Sequence, residues 1–336
     1  MQLCKGTMKV AVIYNQPESD RYQAMGEARA EAGVLDEVHT VNRALDELKY
    51  PHVLIPLTPP LERVKEQIAS LEADVIFNLF EGFDGRPETE GKIAQMLENR
   101  KIPFTGCPAE TLTLALDKAT TKSIIEKSGI PTARYQILSP EEGASFHLRF
   151  PCIVKPLGED ASHGISTDSV VDDFSALEKQ VRRVSTQFGG RALVEEYLSG
   201  REFNTTVMGN VRLTLLAISE IVYTLPPDKP RILTFDSKWD EESVYYRNTK
   251  AVCPADLSPR EQDKIKKIAK SVYRLLGCRG YARVDFREDS ARNLKVLEVN
   301  PNPDISPGAG VAIQVAAAGM TYNQFIERII HLALTK

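Results

Sequence analysis

The chain has 336 residues, of which 42% are hydrophobic and 26% charged, and its formal net charge is -4. This is the composition of an ordinary folded protein with material for two or three packed domains, and its charge balance gives no electrostatic invitation to nucleic acid or an anionic membrane. No stretch approaches the roughly 20 apolar residues of a membrane span, residues 1–7 lack the apolar core of a signal peptide, and Cys4, Cys107, Cys152, Cys253 and Cys278 show no paired or metal-ligand spacing, so reduced thiols and a cytoplasmic location are expected.

Residues 9–14 form a short apolar run, followed by a helical stretch, a second run at Val53-Leu54-Ile55, a helix over 60–71 and a third run at Val75-Ile76-Phe77. Strands alternating with helices predict a parallel sheet. Residues 110–127 read as helix, stopped by Gly129-Ile130-Pro131. A second unit then holds the strand Cys152-Ile153-Val154-Lys155, a polar loop, the strand-like Ile165-Ser166 and a helix over 174–186. A third opens with Ala192-Leu193-Val194-Glu195-Glu196 and includes a helix after Ser258, where Ser258 and Glu261 have capping-box spacing and Pro259 fits the first helical position. The expected units are 1–108, 109–190 and 191–336.

The most informative chemistry lies near the end of the chain. In Tyr281-Ala282-Arg283-Val284-Asp285-Phe286 and Leu297-Glu298-Val299-Asn300 apolar and polar side chains alternate, so Arg283 and Asp285 share a face, as do Glu298 and Asn300. The polar residues 287–293 between them predict a hairpin. On it Asp285, Glu298 and Asn300 converge as hard oxygen donors suited to magnesium, which leaves coordination positions for water and nucleotide phosphate. Arg283 stands beside them as a fixed positive charge; the alternative is that these are solvated polar positions on a half-exposed hairpin.

Lys155 ends a buried-looking strand ahead of a loop carrying Gly158 and Gly164, which suits phosphate held by backbone N–H groups over a point charge, although a plain hairpin loop explains the same residues. Residues 85–92 fail the Walker A pattern, since five residues separate the glycines and Ile93 replaces the hydroxyl. No dinucleotide fingerprint follows the first strand, the histidines show no zinc spacing, and no nucleophile elbow occurs.

Several segments, in order, resemble the ATP-grasp superfamily and, within it, the D-alanine–D-alanine ligases. They are Ile102-Pro103-Phe104-Thr105-Gly106, Leu116-Asp117-Lys118 with Thr121-Lys122, Gly129-Ile130-Pro131-Thr132, Phe150-Pro151-Cys152-Ile153-Val154-Lys155-Pro156 and the stretch from Leu193 through Glu202 to Phe203. The resemblance implies an α/β protein, with an N-terminal Rossmann-like parallel sheet followed by two α+β subdomains clamping ATP. It implies that Lys118 and Lys155 contact the phosphates, that Glu195 and the backbone of Leu198 meet adenine, and that Glu202 holds the ribose. By the same likeness Asp285, Glu298 and Asn300 bind magnesium, or manganese in its place, and Arg283 stabilises the oxyanion of the reaction. Phe235-Asp236-Ser237-Lys238-Trp239 resembles a shortened substrate-covering loop, with Lys238 placed to act in it.

The likeness has departures. The family's early Gly-Gly-x-Ser-x-Glu pattern is missing from Tyr14-Asn15-Gln16-Pro17-Glu18-Ser19, and Ala161 replaces the first serine of the phosphate loop while Ser162 remains. Phe80-Glu81-Gly82-Phe83-Asp84-Gly85-Arg86-Pro87-Glu88 stands where the family has His-Gly and Gly-Glu-Asp-Gly. Pro301-Asn302-Pro303-Asp304-Ile305 replaces the approach to a Ser-Leu pair that grips a carboxylate. The expectation is an ATP-dependent carboxylate–amine ligase working through an acyl phosphate, with a rebuilt acceptor pocket, small-molecule substrates such as amino acids or a dipeptide, and a homodimeric state. A ligase acting on a peptide or carrier protein, and a nucleotide-binding protein without turnover, are the alternatives.

Overall fold

The computed structural model describes residues 7–17, 29–83 and 85–335; Cys4, Glu18, Ser19 and Asp84, named above, lie outside them. Strand β1 (Val10–Asn15) lies between β2 (His52–Leu57) and β3 (Val75–Leu79), parallel to both. Its continuous apolar run reflects burial on both faces. Val10 and Val12 pack with Val38, Val41 and Leu45 of the helix Arg29–Glu47. Ala11 and Ile13 share a cluster with Val64 and Ile68 of the helix Leu61–Ala69 and with Ile93 and Leu97 of the helix Glu88–Arg100.

The helix expected over 110–127 is two, Ala109–Leu116 and Lys118–Lys127. Asp117 separates them in a non-helical conformation, and its carboxylate accepts from the Thr120 N–H at 3.0 Å, an N-cap that starts a new helix. Lys118 and Lys122 are thereby set one turn apart on that helix.

Strands β4 (Tyr135–Leu138), β5 (Cys152–Pro156), β6 (Val170–Val171) and β7 (Ala192–Glu196) form an antiparallel sheet in the order β4-β7-β5-β6, covered by the helix Phe174–Phe188. Ile165 and Ser166 are not strand; Ser166 caps the short turn Thr167–Ser169 that leads into β6. The residues with which the sequence reading opens its third unit, 192–196, are a central strand of this sheet.

The largest sheet contains β8 (Glu202–Met208), β9 (Thr214–Leu215), β10 (Ser219–Tyr223), β11 (Thr249–Val252), β12 (Tyr281–Glu288) and β13 (Leu294–Asn300), with β8 and β12 central in the order β11-β10-β8-β12-β13 and β9 pairing with β8. One face is apolar: Phe203, Val207, Val284, Phe286 and Val296 pack with Ile265, Ala269 and Val272 of the helix Pro259–Leu275. That helix begins with the capping box read from the sequence, with Pro259 in its first turn. The alternate residues, Glu202, Asn204 and Thr206 on β8 and Arg283, Asp285 and Arg287 on β12, pair across the ladder and form the opposite, polar face.

The chain passes from β7 to β8 through a tight hinge, where Gly200 N–H donates to Glu288 O at 3.0 Å and Glu288 N–H donates to Arg201 O at 2.9 Å. A Cβ on Gly200 would stand 2.6 Å from Glu288 Cβ and 2.8 Å from its carbonyl oxygen. Gly200→Ala is therefore expected to destabilise the protein by about 1–3 kcal/mol through overpacking, read as a lowered Tm in thermal denaturation.

Candidate active site

Strands β12 and β13 form the hairpin expected from alternation, with Asp285 opposite Glu298 and Arg283 opposite Asn300. The register shifts after Asp285, because Phe286 pairs with Val296 and Leu297 is left over as a bulge beside the polar face. Arg283 Nε and Nη2 donate to Asp285 Oδ1 and Oδ2, each at 2.7 Å, a bidentate pair. Burial pushes the Glu298 carboxyl upward in pKa, but Lys118, Lys155, Arg283 and Lys238 outweigh it and hold the group below its ordinary value. The cations singled out in the sequence therefore meet around one carboxylate, although they come from four separate segments of the chain.

Among the described residues no group of three or more His, Cys, Asp or Glu side chains gathers in metal-binding fashion. The donor set on this hairpin is instead two carboxylates and the amide of Asn300, all oxygen. That set fits a hard ion such as magnesium or manganese and does not fit zinc.

Glu195 occupies the heart of the cleft in a role the sequence reading did not assign. Its carboxylate, 2% exposed, receives Lys122 Nζ at 2.5 Å on one oxygen and Lys155 Nζ at 2.7 Å on the other. Burial raises the pKa of Glu195, yet these two lysines bring it down to about 2. Lys122 Nζ also donates to Thr132 Oγ1 at 2.8 Å, and Thr132 Oγ1 donates to Val296 O at 2.8 Å, which joins the central sheet to the hairpin. Lys122 has a signal in the sequence after all, since it lies one turn beyond Lys118.

Lys118 Nζ donates to the carbonyl of Glu159 and lies 3.6 Å from Asp160 Oδ1, so it already grips the base of the glycine loop. Within that loop Ala161 and Ser162 adopt φ of 51° and 65°, and Ser162 O accepts from Ile165 N–H at 3.0 Å. Ile165 O in turn accepts from Phe235 N–H at 3.0 Å, and the His163 and Phe235 rings lie 5.4 Å apart. The loop is thus tied to the segment that carries Lys238 by a backbone hydrogen bond and a ring contact. Phe235 leads into the short helix Asp236–Trp239, which carries Lys238 as an exposed residue. At the far end Trp239 reaches the N-terminal unit, where a Cβ on Gly33 would lie 3.2 Å from Trp239 Cη2.

Beyond this cluster Leu198 is buried and Glu202 is 7% exposed. Glu202 Oε2 accepts from Arg287 Nη1 at 2.9 Å and from Tyr223 Oη at 2.7 Å. Arg287 continues the alternation of Arg283 and Asp285, a pattern that could have placed it in the site. The opposite end is acidic. Glu37 Oε1 accepts from Ile305 N–H at 2.6 Å, and Glu90 Oε1 accepts from Asn302 Nδ2 at 2.5 Å. Burial, with Asp304 and Asp160, pushes the Glu81 carboxyl up to about 8. Burial together with Glu81 and Asp304 likewise raises Glu37. No local pattern links Glu37 to Ile305, 268 residues away.

Removing one member of a buried ion cluster leaves uncompensated charge, at a cost of about 3–5 kcal/mol. Glu195→Gln is expected to lose stability of that order at neutral pH. The wild-type advantage is complete above the ordinary carboxylate pKa of 4.5 and is lost as pH falls through the folded value of about 2, so the unfolding curves of the two proteins converge in acid.

Comparison with known proteins agrees with this geometry. A family model described as D-ala D-ala ligase C-terminus matches residues 124–331. The D-alanine–D-alanine ligase of Erythrobacter litoralis is 33% identical over 279 residues, covering 81% of this chain and 80% of its own length. That of Actinobacillus succinogenes is 27% identical over 333 residues, 97% of this chain and 98% of its own. The crystal structure of D-alanine–D-alanine ligase from Bacillus anthracis complexed with ATP is similar in fold, with a TM-score of 0.74 at 21% identity and 97% of each chain covered. With the family match and the Erythrobacter identity both spanning most of the molecule, the chain belongs to the D-alanine–D-alanine ligase family and is an ATP-grasp enzyme that forms C–N bonds.

Proposed function

We propose that this protein uses ATP and magnesium to join the carboxylate of one small amino-acid substrate to the amine of another, by way of an acyl phosphate. The observation that carries this reading is the gathering of Lys118, Lys155, Arg283 and Lys238 around Glu298, beside Asp285. Support for the nucleotide comes from the Bacillus anthracis ligase of the same fold, whose crystal structure is a complex with ATP. Asp285, Glu298 and Asn300 would hold magnesium, or manganese in its place, and the ion would neutralise phosphate charge during transfer.

The residues of the chain supply positioning. Lys155, fixed by Glu195, and Lys118, at the root of the loop bearing Ser162, would align the terminal phosphoryl group for attack by a substrate carboxylate. Attack by the amine then builds negative charge on the former carboxylate oxygen. Arg283, held planar against Asp285, would stabilise that oxyanion with little rearrangement. Lys238 on the covering helix would add a second cation on the open side.

The acceptor pocket is the part we read as rebuilt. Glu37, Glu81, Glu90 and Asp304 face one another, with Glu81 and Asp304 on two of the segments that depart from the family pattern, and Asp160 and Lys118 border them from the loop side. Such a pocket favours a substrate that presents a cationic amine. Homodimer formation and a cytoplasmic location belong to the same reading and rest on the family; sedimentation of the purified protein tests the first.

Three results are expected. Magnesium-dependent ADP release against a pool of amino acids, with the new amide detected by mass spectrometry, should identify the substrate pair; silence across broad pools would overturn the reading, and a mass shift on a protein partner would redirect it to a carrier-protein ligase. Arg283→Ala should lower kcat by about 10²–10³-fold, with ATP affinity changed only a few-fold. Glu81 has a folded pKa near 8 against an ordinary 4.5, so its contribution to stability is full below 4.5 and lost as pH rises through 8; Glu81→Gln should therefore raise Tm at pH 8, and the gain should vanish towards pH 4.5.

A further inference from the structure

The proposed chemistry makes no use of Arg287, yet this cation is buried on the polar face of the same sheet. It is 4% exposed and stands opposite Glu202 in the β8–β12 ladder, two residues beyond Asp285. Nη1 donates to Glu202 Oε2 at 2.9 Å, and Nη2 donates to the carbonyl of Arg231. Its guanidinium carbon lies 5.5 Å and 5.6 Å from the ring centroids of Tyr197 and Tyr223. Tyr223 Oη donates to the same Glu202 oxygen at 2.7 Å.

Stability alone does not account for this arrangement. A buried ion pair contributes little net stability compared with apolar packing of the same volume. Here the pair also leaves Arg287 Nε buried without a hydrogen-bond partner, and an unsatisfied buried donor is a further cost. Local rules broken in this way are characteristic of functional sites. The effect on Glu202 is specific: both of its bonds fall on Oε2, so the carboxylate plane is fixed and Oε1 is left for a ligand. Pairing with Arg287 also cancels a negative charge that would otherwise repel a triphosphate on the same face of the sheet.

We propose that Arg287, assisted by Tyr223, is a positioning residue that sets the enzyme's preference for a ribonucleotide, by holding Glu202 so that Oε1 accepts from the ribose hydroxyls. The inference rests on the ATP reading given above. It assigns to the end of β12 a role separate from that of Arg283 and Asp285 on the same strand: they serve the reacting atoms, and Arg287 serves the sugar. Arginine suits the task because its planar fork fixes the orientation of a carboxylate, which a lysine on a flexible stem does not.

The test compares the binding of magnesium–ATP with that of the magnesium complexes of 2′-deoxy-ATP and 3′-deoxy-ATP by titration calorimetry. Wild type should bind at least one deoxy form about tenfold or more weakly, as expected for loss of a hydrogen bond to a charged group. In Arg287→Met that ratio should fall to within about threefold, because ATP weakens while the deoxy form is little changed. Tyr223→Phe, which removes one hydroxyl and leaves the ion pair, should lower the ratio partway and keeps the test valid if Arg287→Met does not fold. Unchanged discrimination in both variants, or in Tyr223→Phe where Arg287→Met is unfolded, overturns the proposal. A wild type that binds ATP without discriminating overturns this inference alone, whereas a wild type that does not bind ATP overturns the proposed function with it.

Discussion

Opposite charges held close together, out of reach of bulk water, organise this protein. Glu298 and Asp285 on one hairpin, and Glu195 on the facing sheet, are surrounded by Lys118, Lys122, Lys155, Lys238 and Arg283. Five cations thus face three carboxylates, and the Glu195 carboxylate stays ionised down to about pH 2. That excess of fixed positive charge is what a polyphosphate needs. The fold supplies it by bringing together a helix start, a strand end, a loop and a hairpin from distant parts of the chain.

A second, neutral layer keeps the charged one in register. Gln314, fully buried on the helix Gly310–Ala317, accepts from Thr206 N–H at 2.8 Å and donates to Asn204 Oδ1 at 2.6 Å and Ser219 Oγ at 3.2 Å. Asn204 is the ladder partner of Asp285, so this amide network fixes the strand against which Asp285 is paired. A satisfied polar network of this kind specifies a single arrangement more strongly than apolar packing does.

The parts of the molecule legible in the sequence are those set by short-range periodicity. Alternation along 281–286 and 297–300 placed Arg283, Asp285, Glu298 and Asn300 on one face, and continuous apolar runs at β1 and β3 signalled a parallel sheet covered on both sides. Capping chemistry marks the start of the helix Pro259–Leu275, and the same chemistry at Asp117 divides residues 110–127 into two helices. Legibility ended where pairing crosses long stretches of chain. The place of β7 depends on which strands accept its hydrogen bonds, the fate of Glu195 depends on two lysines reaching it from separate elements, and Glu37 is engaged by the backbone of Ile305. The bulge at Leu297 adds a residue that no two-residue period anticipates.

Trp239 ends the covering helix and lies against Gly33 of the N-terminal unit, and it is the sole tryptophan among the 336 residues. The indole is only partly buried there, so its emission responds to how that short helix packs on the helix Arg29–Glu47, a built-in optical gauge of the contact that needs no label.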